Sequence, residues 1–138
     1  MGRRFCVAGL ISGIAIVVAC RSPLAGDDRV AVGTWGGTSI RLDVTTQGAT
    51  IEYDCAHGTI DEPLTTDRDG RFTAAGTHVR EHGGPIRQDE QSDRHPARYQ
   101  GRLTGDSLRL TVTLTDSLQD IGTFTLTRGA TGRVLKCL

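Results

Sequence analysis

The residues whose spacing is most suggestive of chemistry are two histidines four positions apart, His78 and His82, with Glu81 between them. On a helix, this spacing places both imidazoles on one face, where they can bind zinc while the glutamate acts on the metal-bound water. Gly76 precedes the segment, and residues 83–85 (Gly-Gly-Pro) follow it. A one-turn segment between glycines is a poor scaffold for that chemistry, so we do not expect a metallopeptidase, although the letters match the inverted zincin pattern.

A simpler metal site would need folding to bring His57 or His95 close to His78 and His82. Imidazole nitrogens are common ligands of zinc. On a strand, however, residues four apart lie about 13 Å from each other, too far to share one ion unless the chain turns back. We therefore favour histidines that hydrogen-bond locally and predict no metal and no cofactor. A histidine-based metal-binding protein, with His57, His78 and His82 as candidate ligands, is kept as a remote alternative.

The serines and carboxylates show no pattern of a covalent or acid–base catalyst. The serines of the predicted barrel domain, at positions 39, 92, 107 and 117, lack the strand–turn–helix context of a nucleophile elbow. Asp54 lies near His57 in the sequence, but spacing identifies no third group to complete a triad. We therefore predict that the protein is not an enzyme.

The elements that position these residues are short strands, because apolar residues recur at every second position and no segment keeps a helical period. The first predicted hairpin pairs residues 40–44 with 51–55 around Gln47-Gly48. The second pairs residues 59–65 with 71–76 around Asp69-Gly70. The third pairs residues 98–104 with 107–115 around Gly105-Asp106. Residues 121–128 form a further strand, with a bulge near Gly122 where the inward phase changes. Residues 83–96, rich in glycine, proline and charge, are predicted to form a solvated loop.

About eight strands joined mostly by short turns predict an all-β domain: a single small antiparallel up-and-down β-barrel, or a closely related sandwich. The chain also resembles the calycins, the group of lipocalins and avidins, because Gly33-x-Trp35 opens the first strand and Arg128 closes the last long one. This resemblance implies that Arg128 stacks on Trp35 at the closed end of the barrel. Such a cation–π contact is worth about 0.5–2 kcal/mol.

A barrel of the calycin type would receive a ligand at the end opposite Trp35. Eight strands enclose an interior that side chains fill or that holds one small ligand, and the few aromatic residues and short chain favour a filled core. The predicted interior consists of Ile40, Leu42, Tyr53, Phe72, Tyr99, Leu110, Val112 and Phe124. Its aromatic members, Tyr53, Phe72, Tyr99 and Phe124, are the candidates for contact with a ligand.

The N-terminal residues predict export. Arg3 and Arg4 precede an apolar stretch that ends at Cys20, as in a signal peptide, and the stretch is shorter than the roughly 20 residues of a membrane-spanning helix. Residues 17–20 (Val-Val-Ala-Cys) resemble the lipobox of bacterial lipoproteins. This resemblance implies cleavage before Cys20, a diacylglycerol on its thiol and acylation of the new amino group, as with palmitate. Secretory cleavage after Ala19, which leaves Cys20 as a free thiol, and a twin-arginine export route remain alternatives.

These boundaries divide the chain into a signal peptide (1–19), a lipidated N-terminus and polar spacer (20–29) and a β-barrel domain (30–138). The mature part is long enough for one domain. Because 16 basic and 16 acidic residues give a formal net charge of zero, no surface for nucleic acid is expected. The predicted location is the cell envelope or periplasm, on a membrane that the sequence does not specify.

The cysteines reduce to one pair if Cys6 is removed with the signal and Cys20 is acylated. In an exported protein, Cys55 and Cys137 are then expected to form a disulfide. Closing a loop of about 80 residues would stabilise the fold by about 4 kcal/mol. Metal binding by the two thiolates and His57 is the less favoured alternative, because an oxidising compartment removes free thiols.

A second resemblance concerns Tyr53-x-Cys55-x-x-Gly58 together with the C-terminal Cys137, a pattern similar to that of the lipoprotein inhibitors of C-type lysozyme. Those proteins open with the cysteine strand, whereas here Trp35 and a whole strand precede it. The resemblance implies an inhibitor that uses a loop within residues 80–96. Our prediction is a lipid-anchored envelope protein with a non-catalytic barrel that binds a small apolar ligand or an envelope protein, or is structural. An envelope protein inhibitor is the alternative.

Overall fold

The computed structural model describes residues 28–138, so the predicted signal peptide and Cys20 lie outside the described residues. Eight strands account for the regular structure of this part of the chain, which contains no helix. The strands are β1 Gly33–Gly37, β2 Ile40–Val44, β3 Ala49–Tyr53, β4 Ala56–Ile60, β5 Arg71–Arg80, β6 Asp93–Thr104, β7 Ser107–Leu114 and β8 Asp120–Arg128. The all-β prediction is confirmed. In residues 28–138 we find no helix of the length and apolarity needed to cross a lipid bilayer.

The strands form a closed barrel in which each strand pairs antiparallel with the next and β8 returns to β1. This is the predicted up-and-down arrangement, and it leaves no sheet edge open along its full length. The β8–β1 seam is short, with Trp35 opposite Arg128 and Gly36 opposite Thr127. The first half of β8 therefore continues past the end of β1.

The connections define two different ends of the barrel. The end that carries the β1–β2, β3–β4, β5–β6 and β7–β8 connections is called the open end, and the opposite one the closed end. At the closed end, the N-terminal residues pair with the β4–β5 connection through a bridge between Arg29 and Thr65. The side chains of Val30 and Leu64, each 3% exposed, join the core there. Residues 28 and 29, assigned to the spacer on sequence grounds, thus already belong to the fold, since Thr66 N donates to Asp28 O.

Trp35 packs toward the closed end and is 1% exposed. Its indole Nε1 donates to Ala31 O at 2.9 Å, which joins the ring to the segment that enters β1. A buried indole N–H without a partner would be costly. The single tryptophan thus fastens the N-terminal segment to the barrel.

The interior accommodates its large rings beside glycines on the inner wall. Tyr99 is fully buried, and a Cβ on Gly58 would lie 2.5 Å from its hydroxyl oxygen. A Cβ on Gly76 would lie 3.0 Å from Cε2 of the same ring, and one on Gly101 would lie 2.1 Å from Phe72 Cε1. These glycines on β4, β5 and β6 leave the space that the two rings fill. Of the predicted interior residues, all are buried except Phe124, which is half-buried.

The predicted hairpin around Asp69-Gly70 is confirmed in the antiparallel pairing of its two strands but is wrong in the extent of the first one. The turn itself exists, since Gly70 has φ +74° and Gly70 N donates to Asp67 O. However, β4 ends at Ile60 and pairs with the far half of β5, where Ile60 lies opposite Gly76. The turn therefore lies within the long connection of residues 61–70, and the paired residues of β4 end before it.

The predicted loop and the predicted position of Cys55 differ from the structure, whereas the predicted bulge agrees with it. The predicted loop 83–96 is shorter, because β6 begins at Asp93 and its first residues pair with the end of β5. Cys55, expected on a strand, lies in the β3–β4 turn with φ 52°. The predicted bulge near Gly122 is confirmed, since the β7–β8 register shifts between Val112 and Thr113.

Candidate binding site at the open end

The open end of the barrel contains a depression of about 500 Å³. It lies where β8 extends beyond β1, so that the upper wall is incomplete. The depression is lined by Ser39, Tyr53, Asp54, Cys55, Ala56, His78, Arg80, Glu81, Gln119, Asp120, Ile121 and Phe124. Concave surfaces lined by apolar groups with a few convergent polar groups are typical of ligand sites.

Three rings form the apolar part of this depression. The ring centroids of Tyr53 and His78 are 5.1 Å apart with planes inclined by 50°. Tyr53 and Phe124 are 5.7 Å apart, inclined by 51°. Tilted ring pairs at these distances contribute a favourable interaction in addition to the free energy gained by burying their surface. The rings come from β3, β5 and β8, so the barrel fixes their relative positions.

His78 is the polar feature of this aromatic group. Its side chain points inward from β5 and the residue is 3% exposed. Nδ1 is buried and has no hydrogen-bond partner within residues 28–138. Burial, assisted by the charges of Arg80 and His95, lowers the pKa of His78. The imidazole is therefore neutral near pH 7 and has an unused hydrogen-bonding position.

The hydroxyl groups of Tyr53 and Tyr99 form a chain of hydrogen bonds beneath the depression. Tyr53 Oη donates to Tyr99 Oη at 3.4 Å, and Tyr99 Oη donates to Thr77 O at 2.6 Å. Burial raises the pKa of Tyr99 to about 12 and that of Tyr53 well above its usual value. Both phenols therefore stay neutral, and the depression has no titrating tyrosine.

Carboxylates dominate the charged part of the rim. Asp54 accepts the Leu135 N–H at 2.6 Å, and this bond, together with one from the Ser39 side chain, lowers the pKa of Asp54. Asp120 lies at the start of β8 and is exposed. Arg80 is the guanidinium among the lining residues, and its Nη2 donates to Gln119 Oε1 at 2.6 Å.

The C-terminal residues lie along the rim of the open end. Arg133 bridges to Thr38 in the β1–β2 connection, and Leu135 O accepts the Cys55 N–H at 3.2 Å. Cys55 and Cys137 form the predicted disulfide, with Cα atoms 4.9 Å apart. The bridge therefore fastens the chain terminus beside the depression.

Lys136 adds an ionic attachment on the outer face. Its Nζ donates to Ala56 O at 3.0 Å and pairs with Glu52 and Glu81. Although partial burial opposes it, hydrogen bonds from His57 and Lys136 lower the pKa of Glu81. This carboxylate is therefore held in its ionised form by neighbours of the same chain.

The four candidate ligand-contact residues divide between the two ends. Tyr53 and Phe124 line the depression at the open end, as predicted. Tyr99 lies beneath them, and its hydroxyl is used internally. Phe72 lies near the closed end, opposite Gly101, and does not line the depression.

The candidate metal ligands do not meet at one point. His78 points into the barrel, His57 lies on the outer face with Nδ1 2.6 Å from Glu81 Oε1, and His82 follows β5 and bonds Glu90 and Gly83 O. Within residues 28–138 there is no group of three or more histidine, cysteine or acidic side chains placed to hold a metal ion. The His78–His82 segment ends a strand, which removes the helical face that the zinc chemistry needs.

Trp35 and Arg128 are opposite one another in the β1–β8 register. The Arg128 side chain is 56% exposed, and its Nη1 lies 3.9 Å from Asp106 Oδ1. The predicted stacking of the guanidinium on the indole stays a prediction. The inhibitor alternative also stays a prediction: its loop lies between β5 and β6, where Ile86 is 81% exposed.

Sequence reasoning missed the roles of His78, Asp54 and Asp120 at the depression. A signal for His78 was present, because it continues the inward alternation of Phe72, Ala74 and Gly76 on β5. The two aspartates lie where strands begin or end, and only the closure of the barrel brings them to one rim.

No protein-family model matches the chain, and neither the curated proteins nor the solved structures give a match. The geometry of the site therefore carries the functional argument.

Proposed function

We propose that the protein is an exported, lipid-anchored binding protein of the cell envelope, whose barrel takes a small apolar or aromatic molecule at its open end without catalysis. The observation that carries the binding part is the depression of about 500 Å³ walled by Tyr53, His78 and Phe124. The space would admit a molecule of one or two rings. Because the side chains below the depression are fully buried and fill the interior, a ligand would lie near the mouth of the barrel.

The anchoring part of the proposal rests on the N-terminal sequence, where an export signal ends at Cys20. The folded domain starts close behind this position, since Arg29 already pairs with Thr65. A short tether would hold the barrel near the membrane surface. The open end, opposite the N-terminal segment, would then face away from the attachment point.

The anchoring proposal is tested by the intact mass of the protein purified from the membrane fraction. We expect loss of residues 1–19 and a mass increase of one diacylglycerol and one acyl chain on Cys20. The variant Cys20→Ser should remain uncleaved or leave the membrane fraction. A mature mass without lipid would overturn the anchor.

The binding proposal is tested with the neutral fluorescent probe N-phenyl-1-naphthylamine. We expect saturable fluorescence enhancement that Phe124→Leu weakens by about fivefold to tenfold, because a ring of the wall is lost. The matched control is Phe72→Leu, which removes a ring near the closed end and should leave the affinity unchanged. Equal weakening by both variants, or absence of binding to the wild-type protein, would contradict a site at the open end.

A further inference from the structure

The chemistry of the rim narrows the class of ligand. This inference rests on the proposed binding function and concerns the same depression. Its lining contains three carboxylates, Asp54, Glu81 and Asp120, against one guanidinium, that of Arg80. These charges attract or repel a ligand most strongly where no group of the chain is already paired with them.

Arg80 is already engaged by groups of the chain. Its Nη2 donates to Gln119 Oε1 at 2.6 Å, and its Nη1 lies 3.6 Å from Asp93 Oδ2. The nearby His95 is likewise held, with Nδ1 2.7 Å from Asp116 Oδ2 and Nε2 2.8 Å from Asp93 Oδ1. Hydrogen bonds to Asp116 and then Asp93 raise the pKa of His95. Arg80 and His95 are thus each paired with carboxylates of the same chain.

The three carboxylates of the lining differ in how many positive groups of the chain lie beside them. Glu81 is paired with Lys136, which also pairs with Glu52, and lies within hydrogen-bond distance of His57. The hydrogen bonds from Leu135 N–H and the Ser39 side chain are the main causes that lower the pKa of Asp54, and the charges of Arg133 and Lys136 contribute less. Asp120 lies at the exposed start of β8, on the side of the depression that β1 leaves open. Asp54 and Asp120 therefore line the depression without a direct ion pair within residues 28–138.

His78 provides an independent observation that a ligand completes this site. The residue is 3% exposed and lines the depression, and its Nδ1 has no partner within the described chain. A buried polar atom without a hydrogen bond is uncommon and costly. In the neutral tautomer with the proton on Nε2, Nδ1 presents a lone pair, and the fitting occupant is then a hydrogen-bond donor.

The aromatic walls favour the same sign of charge. The faces of Tyr53 and Phe124 carry the negative part of the ring quadrupole and attract a cation that lies over them. An anion in the same position would meet these faces and two carboxylates, with Arg80 already bonded. We propose that the open end selects an organic cation, a protonated amine on a small apolar or aromatic body, over an anion of the same size.

The test compares three probes that share a phenethyl group on the mature protein: phenethylamine, phenethyl alcohol and hydrocinnamate. Affinities are measured by displacement of N-phenyl-1-naphthylamine at low ionic strength. We expect the amine to bind about tenfold more tightly than hydrocinnamate, with the alcohol between them. The preference should decrease as salt is added, because exposed charges are screened.

Two variants locate the effect at the rim. Asp120→Asn should weaken phenethylamine by about threefold to fivefold and leave the alcohol unchanged. Its matched control, Asp69→Asn, removes the same charge from the turn before β5 at the closed end and should change neither affinity. His78→Phe keeps a ring against Tyr53 but removes both nitrogens, and should weaken the amine by about fivefold. Retained binding of the fluorescent probe shows that this variant keeps an intact depression.

The outcomes separate the two proposals. If the fluorescent probe binds at the open end but hydrocinnamate binds as tightly as the amine, the cation inference is wrong and the binding function stands. An amine affinity that Asp120→Asn does not change would also overturn the inference. If neither the fluorescent probe nor the three ring compounds bind, both proposals fail together.

Discussion

Replacing both disulfide cysteines, as in Cys55→Ser/Cys137→Ser, is expected to lower the free energy of unfolding by about 4 kcal/mol. The two positions are 82 residues apart in sequence, so the bridge closes a loop that contains β4 to β8. In the chain-entropy model, a loop of this length restricts the unfolded chain strongly. The measurement is urea denaturation of the mature variant, followed by circular dichroism and compared with the oxidised wild-type protein.

The same double variant should also loosen the chain terminus locally. Residues near the C-terminus would still hold Arg133 against Thr38 and Lys136 against Glu81, but without the covalent bond. We expect faster amide hydrogen exchange at Leu135, whose N–H is donated to Asp54. The matched control is Leu135→Ala, because this side chain is 65% exposed and its removal should cost little. A loss of stability below about 1 kcal/mol, with unchanged exchange, would contradict a stabilising bridge.

The terminus also lies on the rim of the candidate site, so the disulfide connects stability with binding. Cys55 and Asp54 line the depression and occupy the turn that the bridge fastens. If this turn moves in the double variant, the rim carboxylate moves with it. The preference for an amine should then fall more than the affinity for the neutral alcohol.

Alternation along the strands was sufficient to predict the class of fold. Residues on β2, β3 and β7 alternate between buried and exposed positions with little interruption, which is how a half-buried strand is recognised. The bulge near Gly122 could be predicted as well, because the apolar phase shifts there by one residue. Closure between β8 and β1 was inferred from the number of strands and is confirmed.

The error at Asp69-Gly70 has a physical cause. The turn chemistry and the pairing of the flanking strands were interpreted correctly, but Pro63 has no N–H for a strand ladder, and the pairing of the first strand ends before it. The register of β4 and β5 is set by burial on the inner wall, where Ile60 lies opposite Gly76. The beginning of β6 was missed because Asp93, Arg94 and His95 are polar, and their strand conformation depends on pairing with β5.

The candidate site was predictable only in its aromatic part. Tyr53 and Phe124 followed from inward alternation and from the choice of the end opposite Trp35. The rim could not be derived in the same way, because Asp54 and Asp120 are far apart in sequence and meet only through barrel closure. The shortness of the β1–β8 seam, which leaves the depression open, is likewise a property of the assembled barrel.

The second large effect is expected at the closed end, where Trp35→Ala should lower the free energy of unfolding by about 3–5 kcal/mol. The indole is 1% exposed, so truncation removes buried surface and leaves a cavity in a packed core. The variant also removes the hydrogen bond to Ala31 O. We therefore expect the N-terminal segment to loosen, with increased proteolysis near Arg29. Circular dichroism measures the unfolding, because the variant lacks tryptophan fluorescence.

A double-mutant cycle distinguishes the roles of the ring and its neighbours. Trp35→Phe keeps an aromatic ring and loses the N–H bond, so it should cost about 1–2 kcal/mol, less than truncation. If Arg128 stacks on the indole, Arg128→Ala should lose about 0.5–2 kcal/mol in the wild-type background and less beside Trp35→Ala. Equal losses in both backgrounds would show that Arg128 acts through Asp106 or solvent. A loss below about 1 kcal/mol for Trp35→Ala would refute the closed end as a packed base of the barrel.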